Sequence, residues 1–114
     1  MTKRVLIVDD EPVVRSLVEA SLGGECTVEA ASDGPSALRA ARARRPDLIL
    51  LDLGLRGMQG GEVARRLRAD AGTAKVPIFY LTGRDPDDLH AADGVIRKPF
   101  TPASLRAQVA KWLR

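Results

Sequence analysis

Two apolar segments of this sequence end in aspartates whose spacing suggests a site for a hard cation. RVLIV (4–8) leads directly into Asp9 and Asp10, and DLILL (47–51) leads directly into Asp52. Carboxylates brought close together repel one another unless a cation compensates their charge. Oxygen ligands of this kind favour Mg²⁺ at an open site that keeps waters, and no histidine or cysteine lies nearby to favour zinc.

Two more polar residues follow later apolar segments. VPIFYL (76–81) ends in front of Thr82, and Lys98 comes shortly after GVI (94–96). Carboxylates act as phosphoryl acceptors, and phosphoryl transfer depends mainly on positioning and charge neutralisation. A bound metal would hold a phosphoryl group against an aspartate, while the lysine would supply a second cation and the threonine a hydroxyl donor. The residue types therefore predict phosphoryl-transfer chemistry.

Taken one at a time, these residues have simpler explanations. Asp10 can cap a helix, Asp52 can begin a loop, and Thr82 can stand in a turn. Lys98 can be a solvated surface lysine. Their joint occurrence after four different apolar segments favours one shared site over four unrelated roles.

The elements that must position these residues alternate along the chain. The segments that read as strands are 4–8, 26–31, 47–51, 76–81 and 94–96. Helical patterns lie between them, from Val14 to Leu22, from Asp33 to Arg45, from Gly60 to Asp70, and from Pro102 onward. This order predicts a parallel sheet with helices on both faces and right-handed crossovers. The reactive residues would then collect at the carboxyl ends of the strands.

The composition is that of one ordinary globular domain. The 114 residues are 45% hydrophobic and 29% charged, which is enough for a single core. The one cysteine, Cys26, allows no internal disulfide, which fits a reducing compartment, and we expect a cytoplasmic protein. No signal peptide is recognisable, and no apolar run reaches membrane-spanning length, so we expect no membrane contact.

The net charge of +3 raises the question of nucleic acid binding. The arginines of the helical segments are interleaved with alanine and lack aromatic neighbours for stacking; they include Arg39, Arg42, Arg65, Arg66 and Arg68. This pattern favours a solvated outer helix face, so we expect no direct contact with nucleic acid.

Four motifs, in order, resemble the receiver domain of two-component response regulators, and the resemblance extends over essentially the whole chain. They are VLIVDDEP, PDLILLDLGLRGMQGGE, VPIFYLTG and KPF. The resemblance implies a doubly wound, flavodoxin-like fold with five parallel strands in the order 2-1-3-4-5. It also implies that residues 1–114 form a single receiver domain.

The resemblance assigns a role to each acidic residue. Asp52 matches the phosphorylated aspartate. Asp10 matches a direct ligand of Mg²⁺, or of Mn²⁺ in its place, together with Asp52 and the backbone carbonyl of Gly54. Asp9 would act through metal-bound water. Thr82 would move to bond the phosphoryl group, as it does in the family.

The basic motif carries the remaining role. Lys98 matches the lysine that pairs with a phosphoryl oxygen, and the family usually has a cis peptide before the following proline, here Pro99. An X-Pro bond is the one peptide bond at which the cis form is cheap enough for routine use.

The partners are implied by the resemblance as well. The phosphoryl donor would be a sensor histidine kinase or a histidine phosphotransfer protein. The recipient of the signal would be a downstream protein or an output domain outside this chain. We expect a monomer or weak dimer, and a signalling domain that promotes only its own phosphorylation and dephosphorylation rather than an enzyme.

The sequence departs from the family pattern within and after the phosphoacceptor motif. Val95 stands where the family usually has an aromatic residue, so the usual aromatic switch is lost. Only 16 positions separate Thr82 from Lys98, fewer than is usual in the family. This predicts that the family's fourth helix, which lies between the fourth and fifth strands, is shortened or irregular here. Arg56 and Gln59 stand where proline and aspartate are common.

Two other functions compete with a phosphorylatable receiver. A scaffold or interaction module that has lost switching would explain Val95 and the short fourth helix. A phosphohydrolase with an aspartyl-phosphate intermediate is disfavoured because Gly54 stands where that class commonly places a second aspartate. The one histidine, His90, is read as a surface residue rather than an internal phosphodonor.

Overall fold

The fold is an alternation of strands and helices, seen in a computed structural model that describes residues 2–83 and 91–113. The strands of these residues are β1 Lys3–Val8, β2 Cys26–Ala31, β3 Leu48–Asp52, β4 Ile78–Thr82 and β5 Gly94–Arg97. Their helices are α1 Pro12–Leu22, α2 Gly34–Ala43, α3 Gly60–Ala69 and α4 Pro102–Ala110.

All strand pairs of the sheet are parallel, and the strand order is β2-β1-β3-β4-β5. Every residue of β3 and β4 is buried, whereas the edge strands β2 and β5 are partly exposed. Continuous apolar runs are expected of central strands that helices cover on both faces. The predicted doubly wound fold and its strand order are therefore confirmed.

The core lies in two layers, one on each face of the sheet. One layer joins α2 and α3 to residues such as Leu51 and Tyr80. The other joins α1 and α4 to residues such as Leu50 and Leu81. Neighbouring residues of β3 and β4 thus point to opposite layers, as the pleat of a strand requires.

The helix starts follow recognisable capping chemistry. Asp33 caps α2 by accepting a hydrogen bond from the Ser36 amide at 2.8 Å. Thr101 and Ser104 form a reciprocal capping box at the start of α4. Within the described residues, Glu11 occupies the cap position of α1 without a side-chain capping bond, so Asp10 is not the cap of this helix.

Several element boundaries differ from the sequence prediction by a few residues, and two of the differences have a clear local cause. The fourth strand was expected from residue 76 but begins at Ile78, because Pro77 has no amide hydrogen and Val76 donates to Thr73 in a turn. The last helix ends at Ala110, before Trp112, because Trp112 donates to Val109 in a tighter i to i−3 turn.

The prediction that Arg68 belongs to a solvated helix face is wrong. Its guanidinium donates hydrogen bonds to the carbonyls of Ala74, Val76 and Ala91 at 3.0, 2.6 and 3.0 Å, and pairs with Asp93 at 2.8 Å. Backbone carbonyls that end or precede strands need donors, and this arginine supplies them. We call this group the Arg68–Asp93 clamp.

The prediction of a shortened helix between the fourth and fifth strands rests on residues 84–94; of these, residues 84–90, which include His90, lie outside the described residues. Val95 lies inside them, half-buried against the layer of α2 and α3 and opposite Tyr80 in the sheet. Among the helices of residues 2–83 and 91–113, none is long and apolar enough to cross a membrane.

Candidate phosphoacceptor site

The strand register brings the first two aspartates of the site side by side. Val8 of β1 lies opposite Leu51 of β3, so the next residue of each chain segment, Asp9 and Asp52, emerges at the same edge of the sheet. The Asp9 amide continues the ladder on its other side by donating to Ala31 of β2 at 3.1 Å. The predicted convergence of strand ends is therefore realised for these acids.

Asp9 is the most deeply buried acid of the site, with no exposed surface. One carboxylate oxygen accepts a hydrogen bond from the Glu11 amide at 2.9 Å, and the other accepts one from the Lys98 ammonium at 2.9 Å. Arg15 on α1 donates to the backbone carbonyl of Asp9 at 2.8 Å. A buried charge needs such partners, and these bonds fix the side chain in one orientation.

Asp52 is buried at the end of β3, and its Oδ1 accepts a hydrogen bond from the Gly54 amide at 3.0 Å. The start of α3 packs so closely behind it that a Cβ on Gly60 would lie 2.5 Å from the Asp52 carbonyl oxygen and 2.8 Å from the Leu53 Cα. A glycine is required at position 60 for this approach. The backbone that carries Asp52 is thus held between the sheet and α3.

Burial has the largest effect on the pKa of Asp52. It raises the pKa of this carboxyl, and the neighbouring charge of Asp9 raises it further, while the Gly54 amide and the Lys98 ammonium act in the opposite direction. Folding therefore holds a carboxylate here at some energetic cost, which is common where a group must react.

Lys98 supplies the cation that the acids require. Its amide donates to the Thr82 carbonyl at 2.8 Å, which continues the pairing of β4 and β5 beyond Arg97, and its peptide bond to Pro99 is cis, as expected. The ammonium lies 2.9 Å from Asp9 and 3.5 Å from Asp52. A more distant contact joins it to the exposed carboxylate of Glu11 at 3.9 Å.

The pKa of Lys98 is raised despite its burial. Burial alone would lower it, but the hydrogen bond to Asp9 and the charge of Asp52 outweigh that effect. The lysine is therefore firmly protonated, and it balances one of the three aspartate charges around it.

Asp10 completes the acidic cluster at the more open side. One oxygen from each of Asp9, Asp10 and Asp52 lies within 4.8 Å of the others. Three hard oxygen donors at this spacing, with more negative charge than Lys98 balances, fit a Mg²⁺-type ion. We call Asp9, Asp10, Asp52 and Lys98 the acidic site.

Thr82 and Gly83 border the acidic site at the end of β4. Thr82 is buried and lies opposite Arg97 in the sheet, while Asp52 lies opposite the preceding residue, Leu81. A Cβ placed on Gly83 would have no heavy atom of the described residues within 4 Å, apart from those of its two chain neighbours. Gly83 therefore adds no side-chain bulk beside Thr82.

The predicted side chains thus share one edge of the sheet, and the simpler separate explanations for them lose their basis. Two contributors escaped the sequence reasoning. Arg15 lies on α1, four residues after the cap residue Glu11. Residues at this spacing lie on the same side of a helix, so the side chain of Arg15 could have been expected near the end of the first strand. Arg56 was noticed only as a replacement of proline, but its guanidinium lies 3.7 Å from Asp10.

Comparison with known proteins agrees with this geometry. Residues 5–110 match the family model of the response regulator receiver domain. The DNA-binding response regulator MtrA of Mycolicibacterium smegmatis is 45% identical over the whole chain, and the phosphate regulon regulatory protein PhoB of Pseudomonas aeruginosa is 40% identical over 98% of it. The chain spans about half the length of these relatives, 52% of each.

Solved structures give the same result. The chemotaxis protein CheY4 of Vibrio cholerae superposes with a TM-score of 0.92 at 30% identity, over 99% of this chain and 100% of that one. The receiver domain of the Pseudomonas aeruginosa sensor histidine kinase PA1611 superposes with a TM-score of 0.89 at 29% identity, over 99% and 98% of the two chains. The latter contains a magnesium ion in its active site cleft.

Proposed function

This chain belongs to the response regulator receiver domain family, and we propose that Asp52 is the residue that accepts its phosphoryl group. The chain is a receiver domain of two-component signalling, a signalling domain whose relatives include transcriptional regulators. The scaffold alternative that Val95 raised is not favoured by these relationships. The observation that carries the assignment is the placement of the buried Asp52 carboxylate 3.5 Å from Lys98 within the three-aspartate cluster.

Asp52 is suited to act as the nucleophile. It is fixed by the Gly54 amide, and burial strips it of much of the water that would otherwise weaken its attack. A carboxylate oxygen of Asp52 would form a bond to phosphorus while the bond from phosphorus to the donor nitrogen breaks. The electron pair of that bond returns to the donor imidazole.

The cations of the site would neutralise the transferred charge. Lys98 is already within reach of Asp52 and would pair with an oxygen of the phosphoryl group. Asp10, Asp52 and the carbonyl of Gly54 would hold Mg²⁺, and Asp9 would act through metal-bound water. When bound there, the ion would neutralise negative charge on the phosphoryl oxygens.

Thr82 would couple phosphorylation of Asp52 to a conformational change of the domain. Its side chain stands at the end of β4, and a hydroxyl donates readily to a phosphoryl oxygen. Such a contact exists only in the phosphorylated state, so it biases the domain toward a second conformation by its own binding free energy.

The donor class follows from the family, since receiver domains take phosphoryl groups from histidine kinases. We propose a sensor histidine kinase or a histidine phosphotransfer protein as the donor, and a cytoplasmic location. We propose that residues 1–114 act as one receiver unit, a monomer or weak dimer, that promotes only its own phosphorylation and dephosphorylation. Our expectation of no direct nucleic acid contact applies to these residues alone, because a relative such as MtrA is a DNA-binding regulator.

The experiment uses two small donors. Acetyl phosphate tests for phosphorylation at all, and phosphoramidate tests for acceptance from a phosphorus–nitrogen bond like that of phosphohistidine. We expect both to give one acid-stable, base-labile adduct in Mg²⁺, detected by intact mass, and no adduct in EDTA. Asp52→Asn should give none. An unmodified wild-type protein, or equal modification of Asp52→Asn, would refute the assignment.

A further inference from the structure

Arg56 is a cation placed at the open side of the acidic site. Its Nε lies 3.7 Å from Oδ2 of Asp10, which is close enough for an ion pair but too far for a hydrogen bond. The Arg56 side chain is 96% exposed, whereas that of Asp10 is 23% exposed. A loosely held, solvated arginine therefore faces one of the three carboxylates that would bind a metal.

The backbone under Arg56 is held much more firmly than its side chain. The preceding Leu55 is buried in the core layer of α2 and α3. The following Gly57 adopts a φ of 75°, a left-handed conformation that turns the chain sharply. Arg56 thus lies between a buried residue and a tight turn, while its own side chain is exposed and contacts Asp10 only at 3.7 Å.

This arrangement contrasts with that of Lys98 in the same site. Lys98 is 21% exposed and donates a 2.9 Å hydrogen bond to the buried Asp9, so it is part of the folded site. The pair of Arg56 and Asp10 is longer and open to water, and such pairs contribute little to folding. The arginine is therefore easily displaced by a stronger ligand of Asp10.

We propose that Arg56 is a displaceable countercharge that competes with a divalent cation for Asp10 and so weakens metal binding at the acidic site. The proposal rests on the proposed function, because it takes the acidic site to be the metal site. A cation entering between the carboxylates must displace the guanidinium from Asp10 and bind beside its positive charge. Both effects raise the metal concentration that the domain requires.

The test is a titration with Mn²⁺ at low ionic strength, with free Mn²⁺ measured by electron paramagnetic resonance. Arg56→Gln should bind Mn²⁺ about two- to fivefold more tightly than wild type, the range expected for one exposed ion pair. Arg56→Lys should remain near wild type, because it keeps the charge. Arg39→Gln removes the same charge from α2 and should also leave the affinity unchanged.

Two further measurements separate competition from a structural effect. The difference between Arg56→Gln and wild type should shrink at high salt, because exposed charges are screened. In an Asp10→Asn background the Arg56→Gln change should lose most of its effect, as coupled residues do in a double-mutant cycle. Thermal unfolding in EDTA should be the same for Arg56→Gln and wild type.

The outcomes distinguish the two proposals. Wild-type protein that binds no Mn²⁺ would overturn the metal role of the acidic site itself. Wild-type binding that Arg56→Gln leaves unchanged or weakens would overturn only the role of Arg56. A gain in affinity that is equal in Arg39→Gln would also overturn it, since net charge alone would then be the cause.

Discussion

Two charged clusters lie at opposite ends of β4 and β5, and they differ in how completely their charges are satisfied. At the carboxyl ends, the ammonium of Lys98 lies between Asp9 and Asp52, while the third aspartate, Asp10, has the longer contact with the exposed Arg56. At the amino ends, the Arg68–Asp93 clamp pairs one arginine with one aspartate.

The clamp also satisfies the backbone around it. Arg68 donates to three carbonyls, and the same Asp93 oxygen that accepts from Arg68 accepts from the Ile78 amide at 2.8 Å. The Asp93 amide in turn donates to the Ile78 carbonyl at 2.7 Å. Donors and acceptors are matched, so this cluster has the features of a structural joint between α3, β4 and β5.

The two clusters contain ion pairs of similar length but differ in what those pairs contribute to the protein. A cluster whose charges are matched stabilises the fold, whereas one with surplus negative charge is less stable alone and ready to bind a cation. The ion pair of the clamp measures 2.8 Å and the shortest ion pair of the acidic site measures 2.9 Å, so the length of the ion pair does not separate the two clusters. The surplus negative charge of the acidic site distinguishes it from the clamp.

The largest expected effect is the loss of the clamp in Arg68→Met, which keeps a long unbranched side chain but removes every donor. Three carbonyls would lose this donor, those of Ala74, Val76 and Ala91, and the Asp93 carboxylate would keep the Ile78 amide but lose its cation. We expect the free energy of unfolding to fall by about 2–4 kcal/mol, since partly buried acceptors are left unpaired. Urea unfolding can be followed by the fluorescence of the one tryptophan, Trp112, which packs edge-on against Phe79 with ring centroids 5.0 Å apart.

Phosphorylation provides the control for this variant. Arg68 lies at the other end of the strands from Asp52, so folded Arg68→Met should still accept a phosphoryl group from acetyl phosphate at low temperature. Destabilisation below about 1 kcal/mol would show that the clamp is a surface pair of ordinary weight.

The second effect has the opposite sign and concerns the acidic site. Asp52→Asn removes a buried carboxylate from a cluster whose negative charges outnumber its positive charges. In EDTA, we expect its free energy of unfolding to exceed that of wild type by about 1 kcal/mol, the scale common for replacing functional residues. Added Mg²⁺ should reverse the order by stabilising wild type more, because the variant lacks one of the carboxylates proposed to bind the ion.

The pH dependence of this difference has a definite sign. Burial raises the pKa of Asp52 above its ordinary value of 3.8, so the folded protein holds this proton more tightly than the unfolded chain does. The free energy of unfolding of wild type therefore falls as pH rises from 3.8 through the raised pKa, relative to Asp52→Asn. Urea titrations between acid and neutral pH in EDTA measure the difference. An advantage of the variant that shrinks toward neutral pH would contradict the raised pKa.

Much of the acidic site was predictable because it depends on local patterns. Asp9 and Asp52 directly follow buried strands, and the parallel alternation of elements requires those strand ends to meet. The strand order was implied by the resemblance to the receiver family, and the strand-end rule places Lys98 at this edge without predicting its bond to Asp9. The exact charge balance did not follow, since it depends on distances between side chains far apart in the sequence.

The clamp was not predictable for the same reason. Arg68 has the helical spacing of a surface arginine, and its partner Asp93 lies 25 positions later, directly before β5. Periodicity shows which face of a helix is polar, but it does not show that a long side chain at the helix end reaches back to unpaired carbonyls. The role of Arg56 was hidden likewise, because its contact with Asp10 forms across two loops.

The smallest effect is expected for an ion pair that is as short as those above but exposed to solvent. Arg42 and Asp70 form a hydrogen-bonded ion pair of 2.9 Å, as short as the contacts above, but the arginine side chain is 53% exposed. We expect Arg42→Met to shift the Tm by less than about 3 °C, and the shift to vanish at high salt, because solvent screens the pair. Arg68→Met, the same substitution on α3, should lower the Tm by about 10 °C. A loss at Arg42 as large as that at Arg68 would show that contact distance, rather than burial and matched partners, determines what an ion pair contributes to this fold.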